Sequence, residues 1–128
     1  MRLLSGMDMV DVGEVSRLLE EKGEAFIQAN FTAGEREYCE SRKKMRHEHY
    51  AGRIAVKRAF FKAVGKKENE FPLNEIEVTR ERGHVPCLHI SESLRSKAGL
   101  LPQDKVLVSL AHERKLAVGT VVIVKDAE

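Results

Sequence analysis

The run Arg46–Val64 contains no proline and a single glycine, Gly52, and its Ala, Ile, Val and Phe residues recur at helical intervals. Gly65 follows the last periodic residue, where a helix stop signal belongs. This predicts the longest element of the chain, a helix around which the remaining segments have to be arranged. With 128 residues in all, the chain is read as one domain, 1–128, too short for solenoid arrays or a multi-domain machine.

The other segments follow from period and punctuation. Residues 2–12 begin β-like and break at Gly6, which predicts a short strand and then a turn. Residues 13–30 keep helical spacing with an interruption at Gly23, so two short helical pieces are expected. Thr32 followed by Glu35 has the spacing of a capping box, which starts a helix that should run to about Lys44. After a polar loop at 66–70, Ile76–Arg80 and Pro86–Ile90 read as a hairpin turning at Gly83, and Ser91 caps a short helix ended by Gly99. Pro102 with Asp104 marks a further turn. The strongest strand signals, 106–110 and 117–124, are joined by so short a connection that they should pair antiparallel. The fold class is α+β, an antiparallel sheet packed against a long helix.

Charge narrows the function. Lys and Arg total 22 against 20 for Asp and Glu, a net +2, so any basic binding site has to be local. Aromatic residues make up 5% and Trp is absent, which disfavours nucleic acid as a partner because bases need rings to stack on. Asp8 interrupts the apolar core a signal peptide needs, and no stretch reaches transmembrane length, so neither a membrane nor secretion is implied. Cys39 and Cys87 form no CxxC pair and suggest neither a disulfide framework nor a zinc site. A cytoplasmic location is expected.

Several residues stand out chemically. Arg46, Arg53 and Lys57 fall on one side of the long helix, with Lys62 one further turn along; such a row suits phosphates, although a solvated face is the commoner use of such charges. Arg58 interrupts the stripe of Ile54, Phe61 and Gly65 that should face the core, so it needs an acidic or phosphate partner. Asp8, read in the turn after the first strand, has the short carboxylate that holds a hard cation such as magnesium or merely forms a turn. His112, at the end of a strand, bonds a phosphate or satisfies a turn. The remaining histidines, His47, His49, His84 and His89, show no metal-ligand spacing.

Taken in order, three motifs resemble the holo-acyl-carrier-protein synthases, the small 4′-phosphopantetheinyl transferases. They are Gly6-Met7-Asp8; Ala51-Gly52-Arg53-Ile54-Ala55-Val56-Lys57-Arg58-Ala59 leading to Lys62-Ala63-Val64-Gly65; and Val108-Ser109-Leu110-Ala111-His112-Glu113-Arg114 running into Thr120-Val121-Val122-Ile123. Phe31-Thr32 and Glu35 fit between the first two. The resemblance spans nearly the whole chain. It implies a homotrimer with sites between subunits, coenzyme A as substrate, magnesium as cofactor, and an acyl carrier protein as partner in fatty acid biosynthesis. It implies Asp8 as the metal-binding aspartate, Asp8, Lys57 and Arg58 at catalytic positions, and Arg53, Lys57, Lys62, Gly65 and His112 as coenzyme A contacts or catalytic support.

Three positions depart from the family pattern. Arg58 stands where the family has a glutamate as second metal ligand, and a guanidinium offers a cation no lone pair. An Arg58 to Asp8 ion pair and a metal-poor site are expected, unless Asp11 or Glu113 substitutes as a ligand. Lys66-Lys67-Glu68 replaces a Thr-Gly turn, and Glu14 and Glu21 stand where arginines facing the acidic carrier are usual, with Arg17 and Lys22 nearby. Two functions follow: a transferase, or a catalytically degenerate member that binds coenzyme A, a nucleotide or a protein partner without transfer.

Overall fold

The computed structural model describes residues 1–67, 70–80 and 85–125. Strand β1 (Arg2–Asp11) leads into helices α1 (Val12–Lys22), α2 (Glu24–Asn30) and α3 (Ala33–Ser41). A 3-10 turn at Lys43–Met45 then opens the long helix α4 (Arg46–Val64). Another 3-10 turn precedes strands β2 (Ile76–Arg80) and β3 (Pro86–Ile90), followed by helix α5 (Glu92–Lys97) and strands β4 (Lys105–His112) and β5 (Leu116–Lys125). Two antiparallel sheets result, one ordered β1-β5-β4 and the other the β2-β3 pair. The α+β architecture and the antiparallel pairing of the last two strands agree with the sequence reading. The expected hairpin turn at Gly83, like Glu68 and His84, lies outside the described residues.

Two expectations change. Gly6 does not end the first strand: β1 continues to Asp11, paired with β5 along its whole length. The glycine is needed because α4 crosses there at backbone distance. A Cβ on Gly6 would lie 2.2 Å from the Ala59 carbonyl oxygen and 2.7 Å from the Ala63 nitrogen. Asp8 therefore sits inside a strand rather than in a turn. Helix α3 stops at Ser41 instead of reaching Lys44, because Lys43 takes a left-handed backbone (φ 51°) that an α-helix cannot continue through.

Helix α4 is the axis of the core. Its N-terminal half packs with α1, α2 and α3 in a cluster that includes Val15, Leu19, Ile27, Phe31, Tyr50 and Ile54. Its C-terminal half packs with Ile76, Val78, Leu94, Val121 and Ile123. The helix is buried nearly all round, so the single apolar stripe read from sequence does not exist, and polar residues share its buried surface. The three-stranded sheet covers one side. Along β1 the even residues Leu4, Gly6, Asp8 and Val10 face α4 while Leu3, Met7 and Met9 point away and stay exposed.

Candidate active site

The first and second motifs meet where β1 crosses α4. Lys62 Nζ donates to Asp8 Oδ1 at 3.1 Å and to the Met7 carbonyl at 3.4 Å, joining residues 54 apart in sequence. The close approach at Gly6 positions both side chains. Asp8 is 18% exposed and Lys62 57%, so the pair opens to solvent. Arg58, half-buried, lies one helical turn before Lys62 on the same side of α4. The cation that meets Asp8 is thus Lys62, where the sequence reading expected Arg58.

The other predicted cations point elsewhere. Arg53 and Lys62 are separated by about 180° around the helix axis, since nine residues make two and a half turns. Lys57 is fully buried, with Nζ 2.6 Å from Glu35 Oε1 and 2.7 Å from the Asn30 carbonyl oxygen. Burial pulls its ammonium below the usual lysine range, against the pull of the Glu35 carboxylate. Glu35 closes the capping box with Thr32 and also accepts the Val78 N–H at 2.7 Å, so one carboxylate ties α3, α4 and β2 together. The row of cations is therefore not a solvated face. Arg46, in a partly exposed ion pair with Glu40, and Lys62 reach solvent, while Arg53 and Lys57 are buried.

Arg53 is also fully buried. Nη1 donates to the His49 carbonyl at 3.3 Å, and the guanidinium lies 4.5 Å from the centre of the Tyr38 ring. It lines a cavity of about 200 Å³ with Gly34, Tyr38, Thr79 and Arg80. Beside it His49 is buried against His112, ring centres 4.6 Å apart, and burial together with His112 and Arg53 holds the His49 pKa down to about 4. His112 serves no turn: Nδ1 lies 3.1 Å from Glu48 Oε1 on α4. Gly65 ends α4 in the left-handed conformation (φ 73°), as the stop signal requires.

Sequence reading missed Glu35 as more than a cap, missed Glu48, and set His49 aside because it shows no metal-ligand spacing. The available signal was Lys57 itself, since a lysine in an apolar sector requires an acid.

Magnesium asks for several oxygen donors. Asp8 offers one carboxylate, whose Oδ1 already takes the Lys62 ammonium and the Met9 N–H, with a guanidinium one turn away. Neither candidate substitute helps. Asp11 caps α1 through the Gly13 N–H and, three residues along β1, faces the opposite side of the sheet, while Glu113 closes its own turn on the Lys115 and Leu116 N–H groups. The described residues do not fit a magnesium ion.

Comparison with known proteins places the fold and the family. Residues 5–118 match the family model of the 4′-phosphopantetheinyl transferase superfamily. The holo-[acyl-carrier-protein] synthase of Ruminiclostridium cellulolyticum is 36% identical over 126 residues, covering 96% of this chain and 92% of the relative. Among solved structures, the holo-(acyl-carrier-protein) synthase of Bacillus anthracis in complex with CoA (3′,5′-ADP) superposes with a TM-score of 0.77 at 27% identity, covering 94% of each chain. The Helicobacter pylori holo-[acyl-carrier-protein] synthase in complex with coenzyme A shares the fold with a TM-score of 0.81 at 19% identity, covering 94% of this chain and 100% of that one. With its motif segments joined at Asp8 and Lys62 in that shared fold, this chain belongs to the holo-acyl-carrier-protein synthase family of 4′-phosphopantetheinyl transferases.

Proposed function

We propose that the protein transfers 4′-phosphopantetheine from coenzyme A to a serine of an acyl carrier protein. The serine oxygen attacks the pantetheine-side phosphorus of the pyrophosphate. A new O–P bond forms, the anhydride bond breaks, the serine proton is released, and adenosine 3′,5′-bisphosphate leaves. Negative charge builds on the leaving phosphate, so the site has to offer fixed positive charge.

The observation that carries this reading is the Asp8 to Lys62 contact, an exposed ammonium oriented by a carboxylate at the junction of two family motifs. In this reading Lys62 and Arg58 receive the pyrophosphate, and Asp8 orients Lys62. Lys57 never touches substrate; its buried bond to Glu35 fixes the helix that carries the other two. Gly65 and the lysines after it close the end of the site. Arg53 sits across the helix from Lys62, and His112 lies against Glu48 about four turns along it, so a single coenzyme A reaches both sets only where two subunits meet. His112 borders a shallow hollow of about 260 Å³ with Ala111, Leu116 and Val118 on the open side of the sheet.

That open side supports a homotrimer as the working assembly. Leu3, Met7, Met9, Leu107 and Leu116 lie on it, each more than two-fifths exposed, and an apolar sheet face of this extent calls for a cover. No helix among the described residues is long and apolar enough to cross a membrane, and Cys39 and Cys87 are free thiols, which supports a cytoplasmic setting.

The test is direct. Incubated with coenzyme A and a panel of apo-carrier proteins, the enzyme should add the mass of phosphopantetheine to at least one of them. Carrier proteins that remain unmodified while coenzyme A binds would mark a degenerate member of the family.

A further inference from the structure

We infer that the guanidinium of Arg58 takes the place of the divalent cation, so that the pyrophosphate of coenzyme A is bound by Arg58 and Lys62 with no metal ion. This rests on the functional reading above, which puts the pyrophosphate at Lys62. Three features of the molecule lead to it.

The donor set at Asp8 is wrong for magnesium. The carboxylate faces an ammonium at 3.1 Å, the candidate substitutes Asp11 and Glu113 are spent on their own backbone turns, and position 58 carries a guanidinium in place of a ligand. An added divalent ion would meet two cations and a single carboxylate.

The side-chain charges of Asp8, Lys62 and Arg58, taken by themselves, nevertheless sum to the value a metal site would have. Two carboxylates, one lysine and one divalent ion leave one net positive charge. One carboxylate, one lysine and one arginine leave the same. The exchange at position 58 removes a negative ligand and its ion together, and supplies a cation fixed to the chain. A guanidinium presents paired N–H donors in the fork that phosphate oxygens accept, which suits it to this use better than a second lysine.

The geometry sets the two cations side by side. Residues 58 and 62 lie four apart on α4, hence on one face and within reach of one ligand. The backbone of β1 is locked against that helix at Gly6, where no Cβ fits between the strand and Ala59 and Ala63. Arg58 is half-buried, which limits its rotamers and the water around it, while Lys62 is open to solvent. A half-desolvated guanidinium binds phosphate more strongly than an exposed one because less of its field is screened.

Calorimetric titration of the whole protein with coenzyme A, in excess magnesium and in excess EDTA, provides the test, with electron paramagnetic resonance of added manganese as a readout that involves no coenzyme A. Wild-type affinity should agree between the two titrations to within about twofold, and manganese should stay in its free form. Arg58→Gln should weaken binding about tenfold or more in EDTA without creating a manganese site. Arg58→Glu should bind weakly in EDTA, recover with magnesium, and capture manganese. Circular dichroism melts confirm that each variant is folded. If Arg58→Glu does not fold, wild type and Arg58→Gln still decide the matter. Coenzyme A binding that requires magnesium, manganese captured by the wild-type protein, or an unchanged affinity in Arg58→Gln overturns the inference while leaving the functional reading intact. An absence of saturable coenzyme A binding in both titrations overturns the functional reading and the inference with it.

Discussion

Helix α4 carries two lysine–carboxylate pairs five residues apart, and they behave as opposites. Lys57 meets Glu35 at 2.6 Å with both side chains fully buried, whereas Lys62 meets Asp8 at 3.1 Å with the lysine more than half exposed. Both pairs match ordinary salt-bridge chemistry, yet the surroundings assign them different work. In the first, each charge has lost its water and depends on the partner, so separating them leaves an uncompensated charge in the core. In the second, water and salt screen the exposed lysine, so the pair adds little to stability. The inward side of the helix, with His49, Arg53 and Lys57, holds the fold together. The side bearing Lys62 opens to solvent.

The strongest challenge to this contrast is Glu35→Ala. It strands Lys57 and frees the Val78 N–H, and should cost about 3–5 kcal/mol in urea unfolding. A loss below about 1 kcal/mol would mean that the buried pair is dispensable. Gly6→Ala comes next. Its methyl group collides with the Ala59 carbonyl, so strand and helix must part at a cost of about 1–3 kcal/mol, and the outward pair should break although neither member has been changed. Amide chemical shifts at residues 8 and 62 would report the separation.

A smaller effect comes from His49, enclosed by His112, Tyr38 and Arg53. Its folded-state pKa lies at about 4, below the ordinary 6.5, so the unfolded chain takes up the proton first. The stability gained by keeping His49 neutral is complete above pH 6.5 and is lost as pH falls towards about 4. The slope should be at most that of one proton, about 1.4 kcal/mol per pH unit. His49→Gln should flatten that part of the stability curve, as measured by unfolding between those pH values. The smallest change in stability belongs to Lys62→Met, expected to stay within about 1 kcal/mol of wild type. The same variant should weaken coenzyme A binding by about tenfold, and it is this split that separates the two sides of the helix.

How much of this was legible in the chain varies with the range of the interaction involved. The bounds of α4, the Thr32 and Glu35 capping box and the Ser91 cap were readable because period and capping act over a few residues. Gly6 was misread as a strand end because glycine breaks local structure and also permits close approach, and only the partner backbone of α4 distinguishes the two. The partners of the cations were not readable at all. Lys57 finds Glu35 and Lys62 finds Asp8 across 22 and 54 residues, distances over which spacing carries no information.

The sequence by itself determined the α+β class, the long central helix, the antiparallel pairing of the last strands and the motifs that mark the family, since all of these rest on local period, turn chemistry and motif order. It also determined that position 58 carries a cation that cannot ligate a metal. Which lysine is buried, which is open, and which of them meets Asp8 was decided only in three dimensions. Adjacent positions on a helix turn about 100° apart, so residues that look alike in a row end in different dielectric surroundings. Packing of β1, β2 and α3 against α4 sets those surroundings, and with them the division between buried and open charge.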